Sequence, residues 1–358
     1  MMRERRVDSC KAEEFTALLL SKAGADEESA ACMAEVIITA DLFGIRTHGL
    51  EFLPSYIKDI QSGRLSGRAK PETVKETPVF ALVDAHNSIG HRTAVFCMDM
   101  AIEKAAKTGI GIVSAKNATH FGFAGFYPLM AVKRKMFGFV TSNTTPCMVP
   151  TGAVETRLGS DPIAAGMPAY PYPYLLDIST CIVPGGKIGL CARNGIELDP
   201  SWTVGADGRP GKSGRKIFDD MYAGNGGGIL PAGGHKGYGL ALLSEILTGV
   251  MTGGKNSDQL SVHDAADQFS QLFVAMDYGM FRDKDEIEKS LSDYLERIRS
   301  AKRLDPNAAV VTHGEPEFKA FEDNIKNGIR LVEETYNRLG EISGAYGVPI
   351  EDYLSALS

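Results

Sequence analysis

Long uniform runs are what this sequence lacks. A membrane-spanning helix needs about 20 consecutive apolar residues. The longest candidate, near 246–251, is cut by glycines. A secretory leader is also missing, because Asp8, Glu13 and Glu14 interrupt any apolar stretch at the start. There is no run of five Lys or Arg. The chain carries a formal charge of −7, and its opening MRERR is too short for a basic tail. Backbone-directed nucleic-acid binding, which needs a basic face, is excluded on that ground. The six cysteines (Cys10, Cys32, Cys97, Cys147, Cys181 and Cys191) form no C-x-x-C pair and no framework spacing. They read as reduced thiols in a cytoplasmic protein.

Several catalytic signatures are missing too. No G-x-G-x-x-G follows an early strand, since Gly109 and Gly111 precede one. Walker A, H-E-x-x-H, H-x-H and G-x-S-x-G are all absent. A dinucleotide, if bound, is bound outside the doubly wound fold. A zinc set drawn from His48, His120, His235 and Asp177 has no local spacing behind it, and no metal is expected.

What is present is ample core material: 358 residues, 44% of them apolar. Length suggests two domains. Residues 11–24 place Phe15, Leu18 and Leu19 at helical spacing. Asp26 caps a second helix that runs to about Leu42. From 79 the pattern alternates: strand 79–85, helix 91–107, strand 110–117, helix 124–135, strand 137–143. Residues 144–235 are rich in Gly and Pro, with a strand at 174–179 and a hairpin or exposed excursion at 199–211. A helix at 235–253 and a strand at 271–277 follow. From about 284 the chain reads as helical, with a break at 312–317. Two arrangements fit. One is two domains in sequence. The other, preferred, is a helical domain of 1–76 with 280–358 around an α/β domain of 77–279, because two short amphipathic helices cannot close a core alone. The fold class expected is α+β, with a mixed sheet and flanking helices.

Four segments concentrate Gly, His and small polar residues. In 40–50, Thr47 and His48 adjoin between Gly44 and Gly49. His48 reads more readily as a packed loop histidine than as a catalyst. In 117–128, His120 follows a strand and precedes a helix, where ligands meet the carboxyl end of a sheet. Catalysis and packing weigh equally there. In 159–168 and 175–180, Asp177 ends a strand, either to bond ribose hydroxyls or to cap a turn. In 231–242, a glycine-rich loop enters a helix beside Lys236, an arrangement suited to a pyrophosphate.

In order along the chain, these segments resemble the malate/L-lactate dehydrogenase family, which also holds sulfolactate, ureidoglycolate and 2,3-diketogulonate enzymes and piperideine-2-carboxylate reductases. A-D-x-x-G-x-x-S-H-G is matched by Ala40, Asp41, Gly44, Thr47, His48 and Gly49. His120 through Tyr127 match S-x-H-F-G-x-A-G-x-Y. L-G-x-N-P falls near 158–162, D-x-A/S near 177–179, G-G-H-K-G-x-G-L-A near 233–241, and P-G-E at His313, Gly314 and Glu315. The resemblance implies a non-Rossmann nicotinamide-binding fold, a homodimer and a small 2-hydroxy or 2-oxo acid as substrate, without metal. It implies that His120 is the acid/base and that Thr47 and His48 complete the polar face. It places His120, Phe121, Gly122, Phe123, Ala124, Ser142, Asp177, Ile178, Ser179, Lys236, His313, Gly314 and Glu315 at the cofactor. NAD is preferred to NADP, because no arginine cluster flanks Asp177.

Three departures stand out. Thr47 replaces Ser. Asp161 replaces Asn, which adds a charge near the cofactor loop. Phe52 stands where many members place an Arg for the substrate carboxylate. That grip is then left to Arg46, Arg157 or backbone amides. Two alternatives remain at this point: a reductase of cyclic 2-imino acids, and a noncatalytic nucleotide-binding protein.

Overall fold

A computed structural model describes residues 4–357. The chain opens with β1 (Glu4–Val7), α1 (Ser9–Ala23), α2 (Glu27–Leu42) and α3 (Leu53–Ser62). Asp8 and Asp26 cap α1 and α2, accepting from Lys11 N and Ser29 N. Caps of this kind stabilise a helix by about 1 kcal/mol each. Leu53, Tyr56, Ile57 and Ile60 form the buried face of α3 at i, i+3, i+4, i+7 spacing.

The middle of the chain runs β2 (Glu72–Glu76), β3 (Phe80–Asp84), α4 (Gly90–Thr108), β4 (Ile110–Ala118), α5 (Phe126–Lys133), β5 (Phe137–Ser142), β6 (Ile163–Met167) and β7 (Tyr174–Ile178). A subsidiary lobe follows: α6 (Gly185–Asn194), β8 (Thr203–Gly205), α7 (Gly214–Ala223) and β9 (Gly227–Ile229). Next come α8 (His235–Glu245), which continues into a π-helical turn at Ile246–Val250, and β10 (Phe269–Met276). The last elements are α9 (Lys284–Arg299), α10 (Glu315–Asn327), β11 (Ile329–Val332), α11 (Glu333–Ala345) and α12 (Glu351–Leu354).

The main sheet has seven strands in the order β2-β3-β4-β10-β5-β6-β7. Only β3 and β4 pair in parallel, across the α4 connection; the other neighbours are antiparallel. This mixed α+β architecture is not a doubly wound sheet, in keeping with the missing glycine fingerprint.

Three apolar cores result. Val113, Val140 and Phe273 of the sheet pack with Met98 of α4 and Tyr127 of α5. A second core joins both ends of the chain: Phe15, Leu19, Ile37 and Tyr56 meet Ile329, Leu339 and Leu354. The third, in the Gly/Pro-rich region, gathers Met148, Ile188, Leu198, Ile217 and Ile229.

Two readings of the C-terminal half need correction. The segment after 284 is not helical throughout, because β11 intervenes and pairs antiparallel with β1, Arg5 opposite Leu331. The helix expected over 235–253 widens to π geometry after Glu245. Among the described residues, no helix is long and apolar enough to cross a membrane.

Candidate active site

His120 lies on the loop between β4 and α5, at the carboxyl end of β4. Its Nδ1 is 2.6 Å from Tyr56 Oη, and the Gly122 amide donates to the same nitrogen at 3.4 Å. Two rings stack on the imidazole: Phe52 at 5.1 Å between centroids, with planes 23° apart, and His48 at 5.6 Å and 14°. Nδ1 is thus occupied, while Nε2 has no protein hydrogen bond among the described residues. Burial pushes the His120 pKa down to about 4. Burial, then the neighbouring His120, takes His48 down to about 3. Both rings are neutral at pH 7. Burial drives the Tyr56 hydroxyl well above its usual range, so it stays a phenol.

The turn that carries His48 is shaped from below. Asp41 Oδ2 accepts the Leu50 amide at 2.8 Å, and a Cβ at Gly49 would collide with the Asp41 carboxylate. Glycine is obligatory there because of this close approach. Thr47 Oγ1 is 3.1 Å from His48 Nδ1, so the adjacent pair expected from the sequence does form.

The segments expected around a cofactor also meet. Asp177 Oδ2 accepts the Gly125 amide at 2.7 Å, which ties the end of β7 to the 120–124 loop. Burial raises the Asp177 carboxyl to about 6. The Thr180 carbonyl accepts the Ala232 amide at 2.9 Å and packs against Gly237, which joins the glycine-rich loop to β7. His313 O accepts the Leu175 amide at 3.2 Å, so the 313–315 loop lies two residues along β7 from Asp177. Ile178 is exposed there, and Ser179 Oγ donates to Ser160 O at 3.1 Å.

Other candidates lie elsewhere. The side chains of Phe121, Phe123 and Ala124 are buried in the sheet core, so only their backbone borders the site. Ser142 is fully buried, and its hydroxyl donates to Asn143 O at 2.8 Å. Glu315 is held by Lys319 at 2.6 Å. Arg46 pairs with Glu4 at 2.9 Å, and the exposed Arg157 pairs with Glu155 at 2.9 Å. Both guanidiniums proposed for the substrate carboxylate are therefore engaged. Sequence reasoning missed Tyr56, whose sign was its place on the apolar face of α3 beside a histidine-bearing turn. It also missed His91, which is fully buried with neither ring nitrogen bonded and packs edge-to-face on Tyr56 at 5.0 Å.

A nicotinamide dinucleotide fits this surface. Gly233 and Gly234 adopt φ of +61° and +65°, and a Cβ on Gly234 would meet nothing within 4 Å. No side chain caps α8; the Lys236, Gly237 and Tyr238 amides are taken by the Gly233, Ala232 and Gly234 carbonyls, which leaves the exposed His235 amide and the Lys236 ammonium for a pyrophosphate. Among the described residues, no three His, Cys, Asp or Glu side chains converge to hold an ion.

Asp161 corrects an expectation. It is fully buried, and burial, then Glu245, raises its carboxyl well above the ordinary range, so the protonated form is favoured and the added charge is suppressed. Thr144 N donates to Oδ1 at 3.2 Å, while Oδ2 has no partner. An orphaned buried polar atom costs about 1–3 kcal/mol. A carboxyl raised on folding contributes stability below its unfolded pKa that is lost as pH rises toward the folded value. Asp161→Asn is therefore expected to raise Tm by roughly 2 °C or more, with a larger gain at pH 8 than at pH 5. Thermal scans at the two pH values check this, and an equal or negative shift contradicts it.

Comparison with known proteins gives the family. The profile of the family described as malate/L-lactate dehydrogenase matches residues 7–340. The malate dehydrogenase of Pyrococcus abyssi is 35% identical, with 93% of each chain covered. The L-sulfolactate dehydrogenase of Methanocaldococcus jannaschii is 33% identical over 94% of this chain and 96% of that one. The crystal structure of malate dehydrogenase from Entamoeba histolytica superposes with a TM-score of 0.93 at 31% identity, covering 97% of this chain and 99% of that one. The fold and the family match define a nicotinamide-dependent oxidoreductase outside the Rossmann class. The chain belongs to the malate/L-lactate dehydrogenase family, whose reaction is hydride transfer between a nicotinamide cofactor and a small 2-hydroxy or 2-oxo acid.

Proposed function

We propose that His120 is the acid/base of this reaction, and that the observation carrying the assignment is its short bond to Tyr56. The nicotinamide ring, when bound, supplies or accepts the hydride. The protein's part is to move one proton and to hold the substrate. In oxidation the neutral ring takes the hydroxyl proton at Nε2 and becomes the imidazolium, with Nδ1–H donated to Tyr56 Oη. In reduction that imidazolium gives the Nε2 proton to the substrate oxygen and returns to the neutral ring. Thr47 and His48 border the same edge and orient the substrate.

Asp177, Ile178 and Ser179 receive the ribose side of the cofactor, and Lys236 with the His235 amide at the start of α8 receives its phosphates. The loop of His313, Gly314 and Glu315, bonded to β7 at Leu175, completes this surface. NAD is favoured over NADP, since the residues flanking Asp177 include no arginine. Arg46 and Arg157 are both paired, so the substrate carboxylate falls to amides and hydroxyls at the Thr47 corner. Phe52 gives the neighbouring wall an apolar character. We read residues 1–76 with 280–358 as a helical domain and 77–279 as the cofactor domain, with His120 at their seam.

The quaternary state we propose is a homodimer. In support, α8 and its π extension leave Leu242, Leu243, Ile246, Val250 and Met251 exposed on neighbouring turns. Six free thiols, four of them buried, suit the cytoplasm. The deciding experiment is a panel of malate, lactate, sulfolactate and a cyclic 2-imino acid with each cofactor, read at 340 nm, alongside the mass by sedimentation. Turnover of a 2-hydroxy acid with NAD by a particle of twice the chain mass is expected. A response confined to the imino acid, or none, overturns the reading.

A further inference from the structure

The backbone of His120 is anchored by a contact that the chemistry above does not use. Its amide donates to Asp267 Oδ2 at 3.2 Å, on the loop that enters β10. The other oxygen of that carboxylate accepts from Arg64 Nη2 at 2.6 Å. Arg64 follows α3, and its Nη1 also donates to the carbonyls of Val262 at 2.8 Å and Asp264 at 2.6 Å. Its own carbonyl accepts from Asn87 Nδ2 at 2.6 Å. The two side chains are only 20% and 17% exposed. Four chain segments therefore converge on one shielded ion pair, and its acidic member is bonded to the main chain of the imidazole. A surface pair contributes little. A shielded one that locks two loops and an amide is a different device.

We propose that Arg64 and Asp267 are positioning residues for His120: Asp267 fixes the amide from which the ring projects, and Arg64 both holds the 262–267 loop in place and cancels the carboxylate charge beside the imidazole. The inference rests on His120 being the acid/base. Neither residue meets the reacting atoms. An unbalanced carboxylate at this position favours the charged imidazole, and an unbalanced guanidinium disfavours it. Removing one partner or the other must then move the proton equilibrium of His120 in opposite directions. Loss of packing alone moves both variants the same way.

Other groups face the ring without upsetting this comparison. His48 and Tyr56 contact it directly, and His91 packs behind Tyr56. Burial holds the Tyr56 hydroxyl up and lowers both histidines, His48 to about 3. Asp59 on α3 lies near Asp267, and burial raises its carboxyl. Asp264 is paired with Lys255 at 3.3 Å. None of these is altered by the substitutions below.

The test is a ¹⁵N-histidine NMR titration of His120 in the full chain, with circular dichroism to mark the pH range in which each variant stays folded. Arg64→Met is expected to raise the midpoint by about half a unit or more. Asp267→Asn keeps an oxygen for the His120 amide but leaves Arg64 unbalanced, and is expected to lower the midpoint. Arg64→Lys restores the original value within about 0.3 unit. Arg64→Gln replaces the methionine variant if that one does not fold. Shifts of the same sign, or none, overturn the proposal. The readout is a proton equilibrium and not turnover. Opposite shifts in an enzyme inactive on every 2-oxo acid would therefore uphold the ion pair's role while refuting the functional reading.

Discussion

Replacing His120 by alanine lowers turnover of a 2-oxo acid by at least about 10²-fold, the low end of what a positioned proton donor contributes, while nicotinamide binding persists. The reason is geometric. The imidazole Nε2 has no protein hydrogen bond among the described residues, Nδ1 is committed to Tyr56, and Phe52 and His48 stack on the ring. On the proposed reading the cofactor meets different groups, the end of β7 and Lys236 at the start of α8. Deleting the ring removes the proton path and leaves that surface intact. His120→Gln, which keeps a hydrogen-bonding terminus but cannot carry a proton, is expected to fall nearly as far. Rapid-mixing turnover and fluorescence titration with NADH separate the two effects. Near-normal turnover in either variant removes His120 from the mechanism. Weakened NADH binding with unchanged turnover assigns it to the cofactor instead.

Much of this site was legible because its parts lie close together in sequence. Thr47–His48, the 120–124 loop and the glycine-rich entry to α8 each combine a reactive side chain with glycines, and that combination is visible without coordinates. The alternation from residue 79 onward located β3, β4 and β5 within a residue or so of their ends, since their buried faces alternate. The failures have a common physical origin. β2 is an edge strand of sequence ETVKE with little buried surface, so no apolar periodicity marks it. β1 and β11 are four residues each and exist through their pairing with one another, across more than 300 residues. The Tyr56–His120 bond spans 64 positions, and the contact between the His120 amide and Asp267 spans 147. No local pattern encodes such a meeting. It follows from how the terminal core and the sheet are packed.

The two directions of the reaction should respond to pH in opposite ways, and by a large factor. In the free enzyme the relevant group is His120, whose pKa burial lowers to about 4 because the charged ring is poorly solvated. Reduction of a 2-oxo acid needs the protonated ring. Its fraction is about 10⁻³ at pH 7 and about 10⁻¹ at pH 5. The kcat/KM for reduction is therefore expected to climb about 100-fold between pH 7 and pH 5, ten-fold per unit. Oxidation needs the neutral ring, which is nearly fully populated over the same interval, so its kcat/KM on this limb stays level. The folded state works against an unlimited rise. His48, His91 and His120 all resist protonation in the native protein and accept it readily when unfolded. By linkage, the stability they contribute is present above about pH 6.5 and is lost as pH falls toward their folded values. The acid limb of reduction should thus end in unfolding, with loss of the far-UV signal. Initial rates in both directions from pH 5 to 8, paired with circular dichroism, decide the matter. A reduction profile that is flat, or that peaks above pH 6.5 in a fully folded enzyme, contradicts a neutral, buried His120 as the proton donor.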